Sequence, residues 1–465
     1  MIPVSGFERR QVAVFGLGVS GMASARALIA GDALPLCWDD SEAARKAAAD
    51  AGLSVSDLYV ADWDALSALV LTPGVPLTHP APHPIVQLAN AEGVPILGDI
   101  ELFSRERKRR APKAPLVAVT GTNGKSTTVT LIAHLLRAAS RDVALGGNFG
   151  PAVLSLDLPA TGRVHVLECS SYQIELAPSL QPSVGVLLNI SPDHIDRHGT
   201  FERYADIKGR LPQAADRAVI CVDDPRSALI ADHIEQGGGR LIRVSVRNPL
   251  ADGVCVRDGV VSFVAGGAAK EIADIGSVRT LRGAHNAENA AVAIASVLAL
   301  GIPPAKIAEA LPRFPGLAHR MEEVGRIGKV LFINDSKATN AEATARALAS
   351  FNDIYWIVGG RPKAGGISGL EPLFPRVAKA FLIGESAREF ARVMEGRLTY
   401  DLSETLERAV ADAIGVAMRS SSPEPVVLLS PAAASFDQFK NFAERGDTFR
   451  KLVQEHKAKG GKAAG

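Results

Sequence analysis

The stretch PLVAVTGTNGKSTTVTLIAHLLRAAS, residues 115–140, decides the fold of the middle of the chain. Its apolar run LVAVT predicts a buried strand, the glycine-rich GTNGKST predicts a tight loop, and the amphipathic remainder predicts a helix. A loop of this kind at a helix start presents backbone N–H groups that can bind a polyphosphate. We therefore expect Lys125 to reach the β- and γ-phosphates of a nucleotide and the Ser126 hydroxyl to bind Mg²⁺.

This loop is a shortened relative of the usual phosphate-binding pattern, because Val119 stands where the pattern G-x-x-x-x-G-K-[ST] has its first glycine. The alternative is a glycine-rich turn that carries a surface lysine. The coincidence of strand, loop, Lys-Ser pair and helix favours phosphate binding. The residues predicted to bind the nucleotide phosphates are Gly121, Thr122, Asn123, Gly124, Lys125, Ser126 and Thr127.

Upstream, GLGVSG (residues 16–21) follows the apolar run QVAVF and precedes a helix-like segment, and Asp39 and Asp40 end the next apolar run. This is the local context of a dinucleotide-binding fingerprint. Taken alone, it predicts an oxidoreductase that binds a nicotinamide or flavin cofactor. The alternative is a related domain whose glycines approach a different pyrophosphate.

Downstream, three polar residues follow apolar runs or lie just beyond them. Glu168 ends a strand-like run, His194 follows another, and Lys208 lies on the helix that comes next. A carboxylate at the end of a parallel strand near a phosphate loop is well placed to hold a metal ion. The alternatives are a capping carboxylate, a hydrogen-bonded loop histidine and a surface lysine.

The last third of the chain repeats the pattern of a strand that runs into a polar or glycine-rich loop. NDSKATN (residues 334–340), VGGRPKAGG (358–366) and VVLLSPAAASFDQFKNFAERGDTF (426–449) are the three cases. Because the carboxyl ends of parallel strands form the ligand-binding edge of an open sheet, Lys337 and Lys363 offer cations there and Ser435 offers a hydroxyl. Solvated lysines and a helix-capping serine are the alternatives.

Length and pattern predict an α/β protein of several domains. The chain has 465 residues, too many for one ordinary core, and short apolar runs alternate with amphipathic helices almost throughout. Prolines and basic residues near 110–115 and prolines near 311–320 indicate boundaries. We expect domains at residues 1–112, 113–314 and 315–465, with a disordered tail at 457–465.

Composition excludes several classes of protein. The four cysteines form no C-x-x-C pair, which argues against a zinc site and a disulfide framework and favours the cytoplasm. The first residues lack the charged-then-apolar pattern of a leader, and the apolar helix candidate at 290–302 is too short to cross a bilayer, so we expect no membrane insertion. The net charge of +1 provides no broad positive field that would attract nucleic acid. The basic run at 105–113 is interpreted as a solvated helix end before a linker.

Several motifs together resemble a known family. GTNGKST, ECSSYQIE, NISPDHIDRHG, GAHNAENAAVA, GLAHRME, NDSKATN and LLSPAAASFDQFKNFAERGD are similar, in order and spacing, to the Mur ligases of peptidoglycan synthesis. The resemblance spans nearly the whole chain, and the last two motifs resemble the member that adds D-glutamate. It implies a Rossmann-like N-terminal domain, a central P-loop ATPase-type domain with a mainly parallel sheet, and a C-terminal Rossmann-like α/β domain. GLGVSG would then approach the UDP portion of a substrate.

The resemblance also implies site residues in the first two domains. Those implied for the UDP-linked substrate are Val19, Ser20, Asp40, Ser41, Gly74, Asn148 and His194. Some members have Thr-Arg at positions 40 and 41, so Asp40 either turns away or meets the uracil ring. Those implied for metal ions are Ser126, Glu168, His194 and Lys208, the lysine that is carbamylated in this family. The implied catalytic residues are Lys125, His194, Lys208 and Lys337.

The remaining implied contacts involve the nucleotide and the amino acid. Asn289, Arg320 and Asp335 would contact ATP. The residues implied for D-glutamate are Lys337, Thr339, Lys363, Ser435 and Phe442. The implied activity is ATP-dependent amide formation between UDP-N-acetylmuramoyl-L-alanine and D-glutamate in the cytoplasm, with two Mg²⁺ ions and a monomeric enzyme.

Three alternatives remain open at the level of sequence. They are a nicotinamide-dependent oxidoreductase, a non-catalytic P-loop protein, and a sister ligase that adds a different amino acid. The general base that deprotonates the amine also remains open, with His194 as a candidate only if metal does not occupy it.

Overall fold

The computed structural model describes residues 1–362 and 365–462. It divides into two compact units, the first comprising Met1–Ile275 and Ala287–Pro312 and the second Gly276–Asn286 and Arg313–Gly465. Both units contain sheets that are mainly parallel, with helices between successive strands. The predicted α/β class is confirmed.

The first sheet of unit 1 has the order β2-β1-β3-β4 and is parallel throughout. Its strands are β1 Gln11–Phe15, β2 Leu34–Trp38, β3 Leu66–Leu71 and β4 Ile96–Leu97. The helices of this part are α1 Val19–Ala30, α2 Glu42–Asp50, α3 Pro84–Ala91 and α4 Asp99–Arg110. The predicted strand QVAVF is β1. The predicted basic helix end is the last turn of α4, but its prediction as solvated is wrong for Arg107, which is buried and donates to the carbonyls of Ala114 (3.0 Å) and Gln181 (3.3 Å).

The second sheet of unit 1 has the order β13-β12-β11-β10-β9-β8-β5-β7-β6 and is antiparallel only across β11, β12 and β13. Its strands are β5 Leu116–Thr120, β6 Asp142–Gly147, β7 Arg163–Glu168, β8 Val184–Leu187, β9 Arg217–Cys221, β10 Leu241–Ser245, β11 Gly253–Arg257, β12 Val260–Ala265 and β13 Ala268–Asp274. The helices of this part are α5 Lys125–Ala138, α6 Ser171–Glu175, α7 Ile195–His198, α8 Phe201–Gln213, α9 Pro225–Gln236, α10 Ala284–Ala299 and α11 Pro304–Ala310. The first three residues of α10 belong to unit 2.

One apolar core joins the two sheets of unit 1. Val12 and Val14 of β1 belong to the same buried cluster as Leu116 and Ala118 of β5. The position of β5 between β7 and β8 brings the ends of three strands together, and the loop at 121–124, Glu168 and residues 188–194 follow those ends. The sheet order therefore gathers the predicted phosphate and metal residues at one edge.

The sheet of unit 2 has the order β14-β15-β19-β16-β17-β18, and only β14 is antiparallel to its neighbour. Its strands are β14 Glu322–Ile327, β15 Val330–Asn334, β16 Ile354–Gly359, β17 Val377–Ile383, β18 Tyr400–Glu404 and β19 Val426–Leu429. Its helices are α12 Ala341–Ala349, α13 Ala387–Met394, α14 Leu406–Ala417 and α15 Phe442–Lys462. Separate apolar cores cover its two faces.

Two features of unit 2 differ from the expectations. Residues 276–286 belong to it although they precede its main segment, because the Thr280 hydroxyl donates to the Phe314 carbonyl (2.8 Å) and Arg282 pairs with Glu424 (3.2 Å). Helix α15 continues to Lys462, so residues 457–462 are helical where composition predicted a disordered tail; residues 463–465 lie outside the described part of the chain. Lys and Ala at 457–459 are good helix formers, whereas the glycines at 460 and 461 are poor ones, so helix propensity explains only the first half of this extension.

Candidate active site

The predicted phosphate loop joins the buried strand β5 to helix α5. Its glycines are required by geometry, since Gly121 and Gly124 have φ of +154° and +86°. A Cβ atom on Gly124 would lie 2.1 Å from the Asn289 Oδ1 atom, so α10 packs directly on the loop. Asn289, an implied nucleotide contact, is thereby placed beside it. The prediction of strand, loop and helix for this stretch is confirmed.

Asn189, which the sequence analysis did not single out, holds the loop in shape. Its carbonyl accepts from the Thr122 N–H (2.8 Å) and its Oδ1 accepts from the Asn123 N–H (3.0 Å). Its side-chain amide in turn donates to Glu288 (2.6 Å). The Lys125 ammonium donates to the carbonyls of Gly121 (2.9 Å) and Thr122 (3.0 Å). The lysine therefore lies over the loop at which a phosphate is predicted to bind.

Glu168 is the centre of a small polar cluster at the ends of β5 and β7. The Ser126 hydroxyl donates to its Oε2 atom (2.7 Å), and the Asn148 amide donates to its Oε1 atom (2.7 Å). The Glu168 side chain is buried. A hydroxyl and a carboxylate oxygen at this distance are ligands of the type that Mg²⁺ prefers. The predicted proximity of Ser126 and Glu168 is present in the structure.

Lys208 lies inside the protein and not on its surface. Its Nζ atom donates to the Gly121 carbonyl (2.8 Å) and lies 4.7 Å from the centre of the Tyr204 ring. Burial, and then the nearby charge of Lys125, lower the pKa of Lys208 well below its usual value. The surface-charge alternative for this residue is wrong, and a lysine with such a pKa is available as a neutral amine.

His194 precedes helix α7 in a left-handed conformation with φ of +52°. Its side chain is about half exposed, and its Nε2 atom lies 3.4 Å from the Asp193 carboxylate. Its ring lies 5.2 Å from the ring of Tyr172. Among the described residues, no group of three or more His, Cys, Asp and Glu side chains is arranged to hold a metal ion. The metal role of His194 stays a prediction.

His198, four residues on, is fully buried and was not predicted. Its Nε2 atom pairs with the Ser171 hydroxyl (2.9 Å), and its Nδ1 atom lies 4.0 Å from Glu175. Burial lowers the pKa of His198 to about 4, so the ring is neutral at physiological pH. His198 thus fastens α7, and with it His194, to α6. The second histidine of DHIDRH was the available signal.

The first sheet of unit 1 builds the turn predicted to approach a pyrophosphate. A Cβ atom on Gly21 would lie 1.8 Å from the Gly16 carbonyl oxygen, so this turn requires glycine. Asp39 accepts from the Leu17 N–H (2.6 Å) and closes the turn from the end of β2. Val19 is 79% exposed, Gly74 is exposed and Ser20 is half-buried, which leaves this surface open to a ligand.

Asp40 and Ser41 have separate roles here. The Asp40 carboxylate accepts from the Tyr59 hydroxyl (3.1 Å) and lies 3.1 Å from His83 Nε2. It therefore contacts two side chains of the same unit. Ser41 caps helix α2 by accepting from the Ala44 N–H (3.4 Å). Tyr59 and His83 lie far from Asp40 in the sequence, and no local motif predicted their contacts with it.

Unit 2 places its candidate residues on the loops that follow β15 and β19 and at the start of α15. The Lys337 ammonium lies 3.9 Å from the centre of the Phe442 ring. Thr339 is half-buried two residues beyond Lys337, and Ser435 is buried in the loop after β19. Lys363 lies outside the described residues.

Asp335 is buried at the end of β15. Its carboxylate accepts from the Ser430 hydroxyl (2.9 Å) and from the Met321 N–H (3.2 Å). Burial raises the pKa of Asp335 to about 7, against the smaller opposing effects of these hydrogen bonds and of Arg320. Arg320, also an implied nucleotide contact, is half-buried close enough to act on this carboxylate.

Comparison with known proteins defines the class of this α/β protein. Residues 119–297 match the Mur ligase middle domain, and residues 319–433 match the Mur ligase glutamate ligase domain. The chain belongs to the Mur ligase family. It is therefore a ligase, and the oxidoreductase and non-catalytic alternatives are wrong.

Within the family, the similar proteins carry one name. "UDP-N-acetylmuramoylalanine--D-glutamate ligase" from Nitrobacter winogradskyi is 57% identical over 457 residues, which cover 98% of each chain. The protein of the same name from Rhizobium meliloti is 55% identical and covers 97% of each chain. The resemblance to the glutamate-adding member is confirmed at this level.

Solved structures of the family share the fold. UDP-N-acetylmuramate-alanine ligase from Thermotoga maritima has a TM-score of 0.58 at 18% identity and covers 96% of this chain and 99% of its own. MurF ligase from the same organism, solved in complex with ADP, has a TM-score of 0.56 at 16% identity, with 97% and 96% covered. Across residues 1–362 and 365–462, none of the helices has the length and apolar character needed to span a membrane.

Proposed function

We propose that this chain joins D-glutamate to UDP-N-acetylmuramoyl-L-alanine at the expense of ATP, in the cytoplasm and as a monomer. The observation that carries the proposal is the buried Ser126–Glu168 pair beside the phosphate loop, in a chain that matches glutamate-adding ligases over nearly its whole length. Such a site supports phosphoryl transfer to a carboxylate. The names of the relatives supply the identity of the two partners.

We propose three domains for the three substrates. Residues 1–112 would form a Rossmann-like domain that holds the UDP portion at the GLGVSG turn, residues 113–314 the ATP-binding domain, and residues 315–465 the amino-acid domain. The proposed contacts of the UDP-linked substrate are Val19, Ser20, Asp40, Ser41, Gly74, Asn148 and His194. The open surface around Val19 and Gly74 supports this assignment.

The first step activates the carboxylate of the L-alanyl group. A carboxylate is a poor electrophile, so its oxygen attacks the γ-phosphorus of ATP, the bond to ADP breaks, and an acyl phosphate forms. The N–H groups of residues 121–127 and the start of α5 are proposed to bind the phosphates. Lys125 would exchange its carbonyl acceptors for phosphate oxygens. Asn289, Arg320 and Asp335 are the further proposed nucleotide contacts.

The residues around Glu168 fit Mg²⁺. The Ser126 hydroxyl and the Glu168 carboxylate already face each other, and two protein ligands completed by phosphate and water are typical of this ion. Mg²⁺ would neutralise the charge that develops during phosphoryl transfer. For a second ion we propose His194 and Lys208, the latter as a carbamate, because its buried amine with a lowered pKa can react with carbon dioxide and then offers oxygen ligands.

The second step forms the amide. The neutral amine of D-glutamate attacks the acyl carbon, the nitrogen gives up one proton to a base, and the tetrahedral intermediate loses phosphate to leave the amide. Lys337, Thr339, Lys363, Ser435 and Phe442 are the proposed contacts of the amino acid. Of these, the Lys337 ammonium lies 3.9 Å from the centre of the Phe442 ring, which supports its proposed role as the cation that pairs with a carboxylate.

The test is phosphate release from ATP in the presence of UDP-N-acetylmuramoyl-L-alanine, with D-glutamate, L-glutamate, meso-diaminopimelate or no amino acid. Release that depends on D-glutamate alone is expected. Release that depends on another amino acid would keep the mechanism and assign a sister specificity. The proposal would be overturned if none of the amino acids increased phosphate release. A Ser126→Ala variant serves as the inactive control.

A further inference from the structure

Arg445, near the start of α15, is buried with 1% of its surface exposed, yet the acceptors of its hydrogen bonds are a hydroxyl and main-chain carbonyls. Its Nε atom donates to the Ser336 hydroxyl (3.0 Å). Its Nη2 atom donates to the carbonyls of Ser336 (2.9 Å) and Ala433 (3.2 Å). Its Nη1 atom makes longer contacts to the carbonyls of Gly359 (3.5 Å) and Ala434 (3.4 Å).

These acceptors belong to three loops at one edge of the sheet. Ser336 follows β15, Gly359 ends β16, and Ala433 and Ala434 follow β19. The loops also bond to each other, since the Ala432 N–H donates to the Ala338 carbonyl (3.0 Å) and the main chains of Arg361 and Ala434 exchange two hydrogen bonds. One guanidinium therefore joins three segments that lie far apart in the sequence.

The same loops carry the proposed D-glutamate contacts. Ser336 precedes Lys337 directly, Ala434 precedes Ser435 directly, and the Ser336 hydroxyl donates to the Phe442 carbonyl (2.7 Å). A shift of the Arg445 fork would move all of these groups together. Substrate contacts lose much of their value when they are displaced by about 1 Å.

Lysine cannot take the place of this arginine. A guanidinium donates five N–H groups in a rigid planar fork, whereas an ammonium donates three from a single point. A buried cation without its full set of acceptors is also costly. Gly446 restricts the helix start further, because a Cβ atom there would lie 2.2 Å from His319 Nδ1.

We propose that Arg445 is a positioning residue that sets the geometry of the D-glutamate site by holding the loops after β15, β16 and β19 in register. This inference rests on the proposed function, since it assumes that the amino acid binds at these loops. It assigns no contact with substrate to Arg445 itself. Its effect should therefore be largest on the amino-acid substrate, because the fork binds the residues next to Lys337 and Ser435, while Asp335, a proposed nucleotide contact, also precedes Ser336 directly.

The test compares Arg445→Lys and Arg445→Met with the wild type and with Val453→Ala. Val453 is a buried residue on the same helix that packs into the core and makes no part of the fork, so its variant reports simple destabilisation. For both Arg445 variants we expect the KM for D-glutamate to rise at least tenfold, with the KM for ATP and for UDP-N-acetylmuramoyl-L-alanine within threefold of wild type. Discrimination between D- and L-glutamate should fall as well.

Two results would overturn the inference. One is an unchanged KM for D-glutamate in Arg445→Lys and Arg445→Met. The other is a rise in all three KM values that Val453→Ala reproduces at an equal loss of thermal stability. Failure of the proposed function is distinguishable, because the wild type would then show no D-glutamate-dependent phosphate release at all.

Discussion

Replacement of Asp335 by asparagine should change how the stability of unit 2 depends on pH. An aspartate normally has a pKa of about 4, and burial raises that of Asp335 to about 7. Between these values the unfolded chain releases the proton while the folded chain keeps it. The free energy of unfolding therefore falls as pH rises through this window and stays constant above it.

The size of the effect follows from the size of the shift. Each tenfold change in proton affinity corresponds to about 1.4 kcal/mol, so the whole window represents at most roughly 4 kcal/mol. The side chain introduced by Asp335→Asn does not titrate, and its amide oxygen can still accept from the Ser430 hydroxyl. The Asp335→Asn variant should therefore gain stability relative to wild type as pH rises from 4 to 8.

The assay is urea unfolding followed by the fluorescence of Trp356, which is buried in unit 2, in proteins whose Trp38 and Trp63 are replaced by phenylalanine. Asp353→Asn is the matched control, because Asp353 also accepts a serine hydroxyl, that of Ser420 at 2.7 Å, from a half-buried position. Parallel pH profiles for wild type and Asp335→Asn would refute the reasoning.

Three further changes test the site in unit 1. Gly124→Ala should weaken ATP binding at least tenfold in calorimetric titration and destabilise the unit by ~1–2 kcal/mol, because of its φ of +86° and the contact with Asn289, whereas Gly162→Ala, with open space around it, should change neither. Glu168→Gln should lower kcat for phosphate release at least 100-fold and raise the Mg²⁺ concentration needed for half-maximal rate; an unchanged Mg²⁺ dependence would remove Glu168 from the metal site. Lys208→Met should abolish turnover yet raise the thermal unfolding temperature at neutral pH, and this gain should shrink as pH rises towards about 10, because the unfolded lysine then also loses its proton; a constant gain would contradict the lowered pKa.

Local pattern was enough to predict the strand, glycine-rich loop and helix at residues 115–140. The run before Gly121 is buried as β5, and α5 begins at Lys125, because strand period, glycine conformation and helix period each leave a signal within a few residues. The approach of Ser126 to Glu168 also followed, since adjacent parallel strands bring their carboxyl ends together.

What the sequence could not provide depends on contacts between distant segments. Local pattern does not show that Lys208 is buried, because its burial depends on the packing of α8 against the end of β5. Asp40 contacts Tyr59 and His83, which lie 19 and 43 residues further along the chain. Arg445 belongs to the motif LLSPAAASFDQFKNFAERGD, but the three loops whose carbonyls it binds are brought together only by the strand order of the sheet.

The place of β19 has a consequence for synthesis of the protein. This strand is the last in the chain, yet it lies between β15 and β16 in the interior of the sheet. Until residues 426–429 have left the ribosome, β15 and β16 therefore expose edges that have no partner, and such edges invite pairing with other chains. The helix that carries Arg445 emerges later still. A nascent or prematurely terminated chain would thus contain the whole of unit 1 but an unfinished and aggregation-prone unit 2, and chaperones and proteases are expected to act on it until its final residues have been added.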